Sequence, residues 1–376
     1  MNKETLYSLD SKGKIRVWSV WTEGAEIVME SGILNGKMKI ERRTAKPKNV
    51  GNANETTPEQ QAEMEAESRV NKQRDKGYFD TEEEARNTVV VLPMLAHPFE
   101  KRAKYVKYPA YAQPKLDGTR CLAICHPGQE IELITRKGKP YPHLPHIRHA
   151  LEPLRFLGRK IALDGEIYCH GDLPFERLAG LVRKETLDEQ DRADMLKIGY
   201  RCYDMIILDD LSTPFSARIA RLRNTIEYLY SLDAVSSGCL GVVETVQVDR
   251  EGVDAMHAKY VAEGYEGVMV RNADGPYGLN NRSNDLLKLK NFEDDEFEIV
   301  GFRQAEGKDE GTVIWRCKTK SGAEFDVRPR GSHEERTAWF VNGESYVGKP
   351  LTVRYQELTQ DGLPRFPVGI AIRDYE

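Results

Sequence analysis

Short apolar runs separated by glycines dominate the first 50 residues. Apolar and polar residues alternate over residues 6–9, 15–21, 27–29 and 38–40. A period of two is typical of strands with one buried face, and the intervening glycines are typical of tight turns. We therefore expect an antiparallel sheet at the start of the chain.

The pattern changes at residue 57 to a run rich in Gln, Glu, Ala, Arg and Lys that continues to residue 76. Thr57 is suited to the N-cap of a helix, Pro58 to its first position and Gly77 to the position past its end. These residues predict one long helix. A second, short helix is expected over residues 81–86.

Strands and helices are mixed over residues 110–292, which predicts an α+β domain. Expected strands cover residues 120–125, 161–167, 200–208 and 267–270, and expected helices cover residues 175–181, 218–230 and 253–263. After residue 294 strands dominate again, at 296–302, 312–318, 324–327, 351–357 and 367–373, with a helix over 333–340. Five strands with a helix between the third and fourth outline an OB-fold barrel. The predicted domains are residues 1–88, 89–293 and 294–376.

Composition excludes several classes of protein. The chain has 376 residues, 31% of them charged, and no apolar run approaches the roughly 18 residues that span a bilayer. Its six scattered cysteines are not spaced as a disulfide scaffold, so we expect reduced thiols and a cytoplasmic protein. With a net charge of −5, any polyanion must be bound by local basic clusters. The run from Lys37 to Lys48 is one such cluster, and its candidate DNA contacts are Lys37, Lys39, Arg42 and Arg43.

Candidate chemistry lies in four ordered elements. Lys115-Leu116-Asp117-Gly118-Thr119-Arg120 precedes a strand, Asp164-Gly165-Glu166 lies within one, Glu266-Gly267 begins another, and Lys288-Leu289-Lys290 follows. A lysine attacks phosphorus only when it is neutral, and neighbouring ammonium groups favour that form. Glu166 and Glu266 are suited to Mg²⁺, which accepts one or two carboxylates and keeps several waters. The set predicts nucleotidyl transfer.

In this order the elements resemble the ATP-dependent DNA ligases of the covalent nucleotidyltransferase superfamily, over about residues 93–376. The resemblance implies that Lys115 takes up AMP, that Arg120 contacts ribose and phosphate, and that Glu166 contacts ribose or metal. It implies nucleotide contacts for the remaining candidates Gln113, Arg136, Tyr203, Lys288, Lys290 and Arg373. Arg136, in Thr135-Arg136-Lys137-Gly138, would also meet the DNA 5′-phosphate, and Tyr203 would stack on adenine.

Two positions depart from the family's pattern. Gln113 stands where many ligases have Glu near the adenine amino group. Arg365-Phe366-Pro367-Val368 and Arg373-Asp374 resemble the motif that orients pyrophosphate, but the usual basic residue after the Asp is absent, so Arg373 takes that role. In the N-terminal region, the Trp-bearing sheet, the charged helix and Lys76-Gly77-Tyr78 resemble WGR-type DNA-binding modules without the Trp-Gly-Arg tripeptide itself. Trp18 and Trp21 are equally explained as core or cross-strand residues.

The resemblance implies a monomeric enzyme that uses ATP and Mg²⁺ to seal nicks in duplex DNA, in a bacterial cell or a phage-infected host, with roles in repair, replication and recombination. An RNA ligase or a capping guanylyltransferase is the alternative among enzymes. A non-catalytic DNA-binding scaffold is the alternative of another class.

Overall fold

The computed structural model describes residues 1–10, 13–232, 238–359 and 361–373. The chain divides into two compact units, Met1–Leu289 and Lys290–Glu376. The first unit contains the predicted domain 1–88 and nearly all of the predicted domain 89–293, and the second unit begins four residues before the predicted third domain. In the part of the chain that is described, no helix is long and apolar enough to cross a bilayer.

The first unit begins with the predicted antiparallel sheet. Its strands, paired in chain order, are β1 (Glu4–Leu9), β2 (Ile15–Glu23), β3 (Glu26–Ile33) and β4 (Met38–Thr44). Two helices follow, α1 (Pro58–Arg74) and α2 (Glu82–Asn87). Thr57 caps α1 in a capping box with Gln60, as its position before Pro58 predicts. The sheet and both helices together are called the N-terminal module below.

Helix α1 packs on the sheet through one narrow stripe. Ala62, Ala66 and Val70 recur every four residues and are buried against Leu6 and Trp18. Trp18 is thus a core residue, whereas Trp21 is half-buried, donates its indole N–H to Glu23 and lies under the Lys3 ammonium. The prediction that Trp18 is a core residue is confirmed.

The remainder of the first unit mixes strands and helices as predicted. Its strands are β5 (Leu95–Pro98), β6 (Ala110–Lys115), β7 (Thr119–Cys125), β8 (Glu132–Thr135), β9 (Ile161–Tyr168), β10 (Gly199–Ile207), β11 (Leu240–Val242), β12 (Val246–Val248), β13 (Gly267–Arg271) and β14 (Arg282–Lys290). Its helices are α3 (Phe99–Arg102), α4 (Pro145–Leu151), α5 (Phe175–Leu181), α6 (Glu189–Met195), α7 (Phe215–Ser231) and α8 (Arg250–Ala262).

These strands form two sheets. One has the order β11-β10-β9-β7-β8, and the other has the order β12-β6-β13-β14-β5. Helix α7 covers the first sheet with Ile219, Leu222, Ile226 and Leu229, which share a large core with its strands. Strands β6 and β7 are consecutive in the chain but belong to different sheets, so the segment that joins them lies between the sheets.

The second unit is a closed barrel with the strand order β15-β16-β17-β19-β18. Its elements are β15 (Glu293–Gln304), β16 (Val313–Lys318), β17 (Glu324–Pro329), α9 (His333–Val341), β18 (Pro350–Tyr355) and β19 (Val368–Ile372). Trp315 is fully buried at its centre. The predicted barrel, with its helix between the third and fourth strands, is confirmed.

Candidate active site

A cavity of about 1520 Å³ opens between the two sheets of the first unit. Lys115, at the end of β6, lines it, as do Gly118 and Arg120 at the start of β7. Glu166 on β9, Tyr203 on β10 and Lys288 on β14 line it too. Residues far apart in the sequence therefore converge here because each occupies an inner strand of one of the two sheets.

Lys115 forms an ion pair with Glu266, whose carboxylate accepts a hydrogen bond from Nζ. β6 and β13 are antiparallel neighbours, with Lys115 opposite Gly267, so Glu266 stands beside the lysine at the strand end. The Lys115 side chain is 22% exposed and that of Glu266 is 8% exposed. The amine thus faces the cavity with a nearly buried carboxylate that can receive its proton.

Arg120 is held in position by Asp164. The fully buried Asp164 carboxylate accepts hydrogen bonds from Arg120 Nε at 2.9 Å and Nη2 at 2.6 Å. Tyr277 donates a third hydrogen bond to Asp164, at 2.6 Å. This bidentate geometry fixes the guanidinium plane at the cavity wall.

The pKa of the Glu166 carboxyl is raised above its usual value. Burial raises the pKa of Glu166 to about 7, and the charges of Lys115 and Arg120 oppose that rise. The hydroxyl of Tyr203 lies 3.2 Å from Glu166 Oε2. The carboxyl is thus poised to change its charge near neutral pH when a cation or ligand enters.

Gln113 belongs to a buried hydrogen-bond network in the wall of the cavity. Its Nε2 donates to the backbone oxygen of Tyr203 at 2.9 Å and to Thr245 Oγ1 at 3.0 Å, and its Oε1 accepts from Arg271 at 2.8 Å. Arg271 also donates to Asp204 at 2.7 Å. Since both hydrogens of the amide are used within the protein, Gln113 has no donor left for a nucleotide base.

The Tyr203 ring, the expected adenine platform, lies close to two cations. The guanidinium carbon of Arg120 is 5.5 Å and that of Arg271 is 5.6 Å from its centroid. Burial raises the pKa of the Tyr203 hydroxyl, so it stays protonated at neutral pH. The ring is therefore held firmly by its surroundings.

Arg136 follows β8 and lines the cavity with an exposed side chain. Burial and the neighbouring charges of Arg120 and Arg282 lower its pKa, which marks a locally positive wall. Such a wall favours an anionic ligand.

The segment after Lys115 packs closely against β9. A Cβ at Gly118 would stand 2.4 Å from the Ile167 backbone oxygen, so only glycine allows this close approach. Thr119 Oγ1 is buried without a hydrogen-bond partner while its residue lines the cavity. A hydroxyl at this position can hydrogen-bond to a ligand in the cavity.

The structure does not gather every predicted site residue here. Glu266 and Lys290 are absent from the described residues that line the cavity. Glu266 reaches it through its contact with Lys115, and Lys290 ends β14 and donates a hydrogen bond to Gln356. Arg373 follows β19 in the second unit and donates to Thr352 Oγ1 at 2.8 Å. Asp374 lies outside the described residues.

The predicted DNA contacts Lys37, Lys39, Arg42 and Arg43 lie on or just before β4, the exposed edge strand of the N-terminal sheet. Lys39 pairs with Glu41 at 2.6 Å. Arg42 forms ion pairs with Glu23 and Glu26.

Sequence reasoning missed several residues that build the site. Asp164 could have been predicted from the sequence, because it stands two residues before Glu166 and therefore lies on the same face of the strand. Asp204 and Tyr277 could not be predicted in this way, since their partners lie 67 and 113 residues away in the sequence.

Comparisons with known proteins agree with this geometry. Residues 93–290 match the model of the ATP dependent DNA ligase domain, and residues 307–373 match that of the DNA ligase OB-like domain. The chain is 30% identical over 370 residues to the DNA ligase of African swine fever virus (isolate Warthog/Namibia/Wart80/1980), covering 93% of this chain and 84% of the viral one. It is 25% identical over 339 residues to the DNA ligase of Enterobacteria phage T4, covering 75% of this chain and 68% of the phage protein.

A solved structure of a Lig E DNA ligase, described as binding DNA with a minimal scaffold, shares the fold. Its TM-score is 0.61 at 22% identity, and the match covers 76% of this chain and 100% of that one. The first domain model spans more than half of the chain, and the viral ligase aligns along most of both sequences. The chain therefore belongs to the ATP-dependent DNA ligases.

Proposed function

We propose that this ATP-dependent DNA ligase works through Lys115 and seals nicks in duplex DNA. Lys115 Nζ attacks the α-phosphorus of ATP, forming an N–P bond as the bond to the pyrophosphate oxygen breaks. The observation that carries this assignment is the position of the amine: it lines the cavity beside Glu266, with Arg120 and Lys288 on the same walls. Glu266 is the acceptor for the proton that the amine must lose.

Two further transfers complete the reaction. The 5′-phosphate oxygen at the nick attacks the phosphorus of the bound AMP and forms a P–O–P linkage as the N–P bond breaks, and the leaving Lys115 nitrogen takes up a proton. The 3′-hydroxyl then loses its proton and attacks the activated 5′-phosphorus, which forms the phosphodiester as the P–O bond to AMP breaks and AMP leaves. The surrounding cations stabilise the charge that develops on the phosphoryl oxygens in each transfer.

The other proposed contacts with nucleotide and DNA follow from the positions of the residues that line the cavity. Arg120 and Lys288 bind ribose and phosphate, Tyr203 stacks on the base, and Arg136 meets nucleotide or the DNA 5′-phosphate. Lys290 and Arg373 remain proposals for phosphate and pyrophosphate. The proposed role of Gln113 is at the back of the base pocket, where its amide orients Tyr203 and Arg271.

Magnesium is the proposed cofactor. Within the described residues, no group of three or more His, Cys, Asp or Glu side chains is arranged to hold a metal. This fits Mg²⁺, which is bound in such sites by one or two carboxylates together with substrate phosphates and water. Glu166 and Glu266 would hold it, and when bound it would neutralise charge on the phosphates.

The chain is proposed to act as a monomer on nicked duplex DNA in the cytoplasm of a bacterial or infected cell. The six cysteines, all free and buried, are compatible with a reducing compartment. The relatives named above include viral and phage ligases.

The test is covalent labelling. The wild-type chain incubated with ATP labelled in the α-phosphate and Mg²⁺ should carry label that survives denaturation and is released by acid, as a phosphoramidate is. Lys115→Ala should carry none, because alanine has no nucleophile, while it still seals a nick that has been adenylated beforehand. Acid-labile label on Lys115→Ala would assign the nucleophile to another lysine.

A further inference from the structure

The N-terminal module reaches the active-site cavity through the end of α1. Lys72, in the last turn of the helix, and Lys76, two residues beyond it, both line the cavity that contains Lys115. Both side chains are exposed. Lys72 and Lys76 are called the helix-end lysines below.

The end of α1 is held against the loop that carries Arg136. Asp75 Oδ2 lies 3.1 Å from Lys139 Nζ, and Lys139 is three residues after Arg136 in the same hairpin. Gly77, with φ +83°, leads the chain away, and a Cβ there would stand 2.7 Å from Val90. The end of α1 thus contacts the rim of the cavity through the Asp75–Lys139 ion pair.

The rim between helix and hairpin is positively charged. Its cations are Lys72, Lys76, Arg136, Lys137, Arg183 and Arg282, and its acids are Asp75 and Glu185. Asp75 is already paired with Lys139. A rim with this excess of exposed cations beside a nucleotidyl-transfer site suits the phosphates of a nucleic-acid backbone.

The basic strand β4 is a weaker candidate for the same task. Arg42 donates to Glu23 at 2.7 Å and to Glu26 at 2.9 Å, so two carboxylates face one guanidinium. The hydrogen bond from Arg42 holds the pKa of Glu23 below its usual value. Among described residues, those of β4 do not line the cavity.

We propose that the helix-end lysines contact backbone phosphates of the DNA close to the nick. The N-terminal module then extends the phosphate-binding wall of the active site through its helix rather than through its basic strand. This inference rests on the proposed function, since it assumes that the nick lies at Lys115.

The test compares full-length double variants that each remove two positive charges from the module. Lys72→Ala/Lys76→Ala removes the proposed contacts. Lys14→Ala/Arg16→Ala, at the exposed start of β2, removes equal charge away from the cavity. Each protein is first loaded with labelled AMP, and the fraction that carries the label is counted. The binding of each protein to a fluorescent nicked duplex is then measured by anisotropy between 50 and 200 mM salt.

Each phosphate contact contributes about 0.9 to the slope of log affinity against log salt. The helix-end variant should therefore lower the slope by about 1.8 and weaken binding, while the control keeps the wild-type slope. The loss should persist when the duplex is shortened from both ends toward the nick, since the contacts lie beside it.

Equal slopes for the helix-end variant and the wild-type chain would overturn the inference. A loss produced instead by Lys37→Ala/Lys39→Ala would assign the contacts to the β4 side of the sheet. Failure of the proposed function gives a different result, because the wild-type chain would then carry no AMP label.

Discussion

Asp164→Asn tests how far the active site depends on one buried carboxylate. Asp164 is fully buried and accepts two hydrogen bonds from Arg120 and one from Tyr277. Asparagine has nearly the same shape but carries no charge. One of its two terminal groups is an amide NH₂, which must face either the guanidinium or the tyrosine hydroxyl, both of which are donors.

The expected loss in free energy of unfolding follows from the Arg120 guanidinium, which the substitution leaves without its charged partner. Breaking a buried ion pair by removing one partner costs about 3–5 kcal/mol, and losing a hydrogen bond to a charged group costs about 1.5–3 kcal/mol. The Arg120 side chain is 16% exposed at the cavity wall, so water can solvate it in part. We therefore expect Asp164→Asn to lower the free energy of unfolding by about 3 kcal/mol.

Asp274→Asn is the matched control, since its carboxylate pairs with Lys107 at 2.8 Å where the side chains are 63% and 67% exposed. Exposed pairs contribute at most about 1 kcal/mol. Urea unfolding followed by circular dichroism measures the free energy of unfolding of both variants. The rate of self-adenylation with labelled ATP measures the activity of the site. The KM for ATP should rise in Asp164→Asn because Arg120 is no longer oriented. If both variants lose less than about 1 kcal/mol and keep the wild-type KM, Asp164 does not hold Arg120 as argued.

Two further predictions concern the cavity walls. Because burial raises the pKa of Glu166 to about 7, the folded chain binds the proton more tightly than the unfolded chain, so this group's contribution to stability declines as pH rises from about 4.5 to 7. Self-adenylation at limiting Mg²⁺ should rise with pH through this range, and Glu166→Gln should lose that rise; an unchanged pH profile would contradict the assignment. Gly118→Ala should cost roughly 1–3 kcal/mol and lower kcat/KM for ATP, since the new Cβ meets the Ile167 oxygen at 2.4 Å. Gly180→Ala, in α5 with nothing within 4 Å, should be neutral or stabilising, and equal losses in thermal unfolding would refute the steric argument.

Local features of the chain were predictable because their causes are local. Thr57 caps α1, and Pro58 begins it, since both act on backbone groups within one turn. The order of the Lys115, Glu166, Glu266 and Lys288 elements predicted a nucleotidyl-transfer site, because chemistry demands those residue types whatever the fold. The strands that were predicted are observed, because alternation depends only on adjacent residues, whereas β5, β6, β8, β11 and β12 were not predicted.

The DNA contacts predicted on and just before β4 stay a prediction, but the ion pairs of this strand could not be predicted from the charge run. The run from Lys37 to Lys48 indicated a phosphate-binding surface, but Arg42 meets Glu23 and Glu26, which belong to β2 and β3. Sequence distance concealed these pairings, which depend on the register of three neighbouring strands. The sequence analysis did not single out Lys72 or Lys76 as DNA contacts, because their position at the cavity depends on how α1 packs.

The sequence by itself determined the α+β and barrel architecture and many of the longer elements, and it predicted the reacting groups, because periodicity, capping and residue chemistry are properties of short segments. Only the tertiary structure decided which groups meet: Arg120 with Asp164, Gln113 with Arg271, and the end of α1 with the cavity. Those contacts join residues 44 and 158 positions apart in the two hydrogen-bonded pairs. Side-chain partners at such separations depend on sheet order and register, which no local pattern encodes.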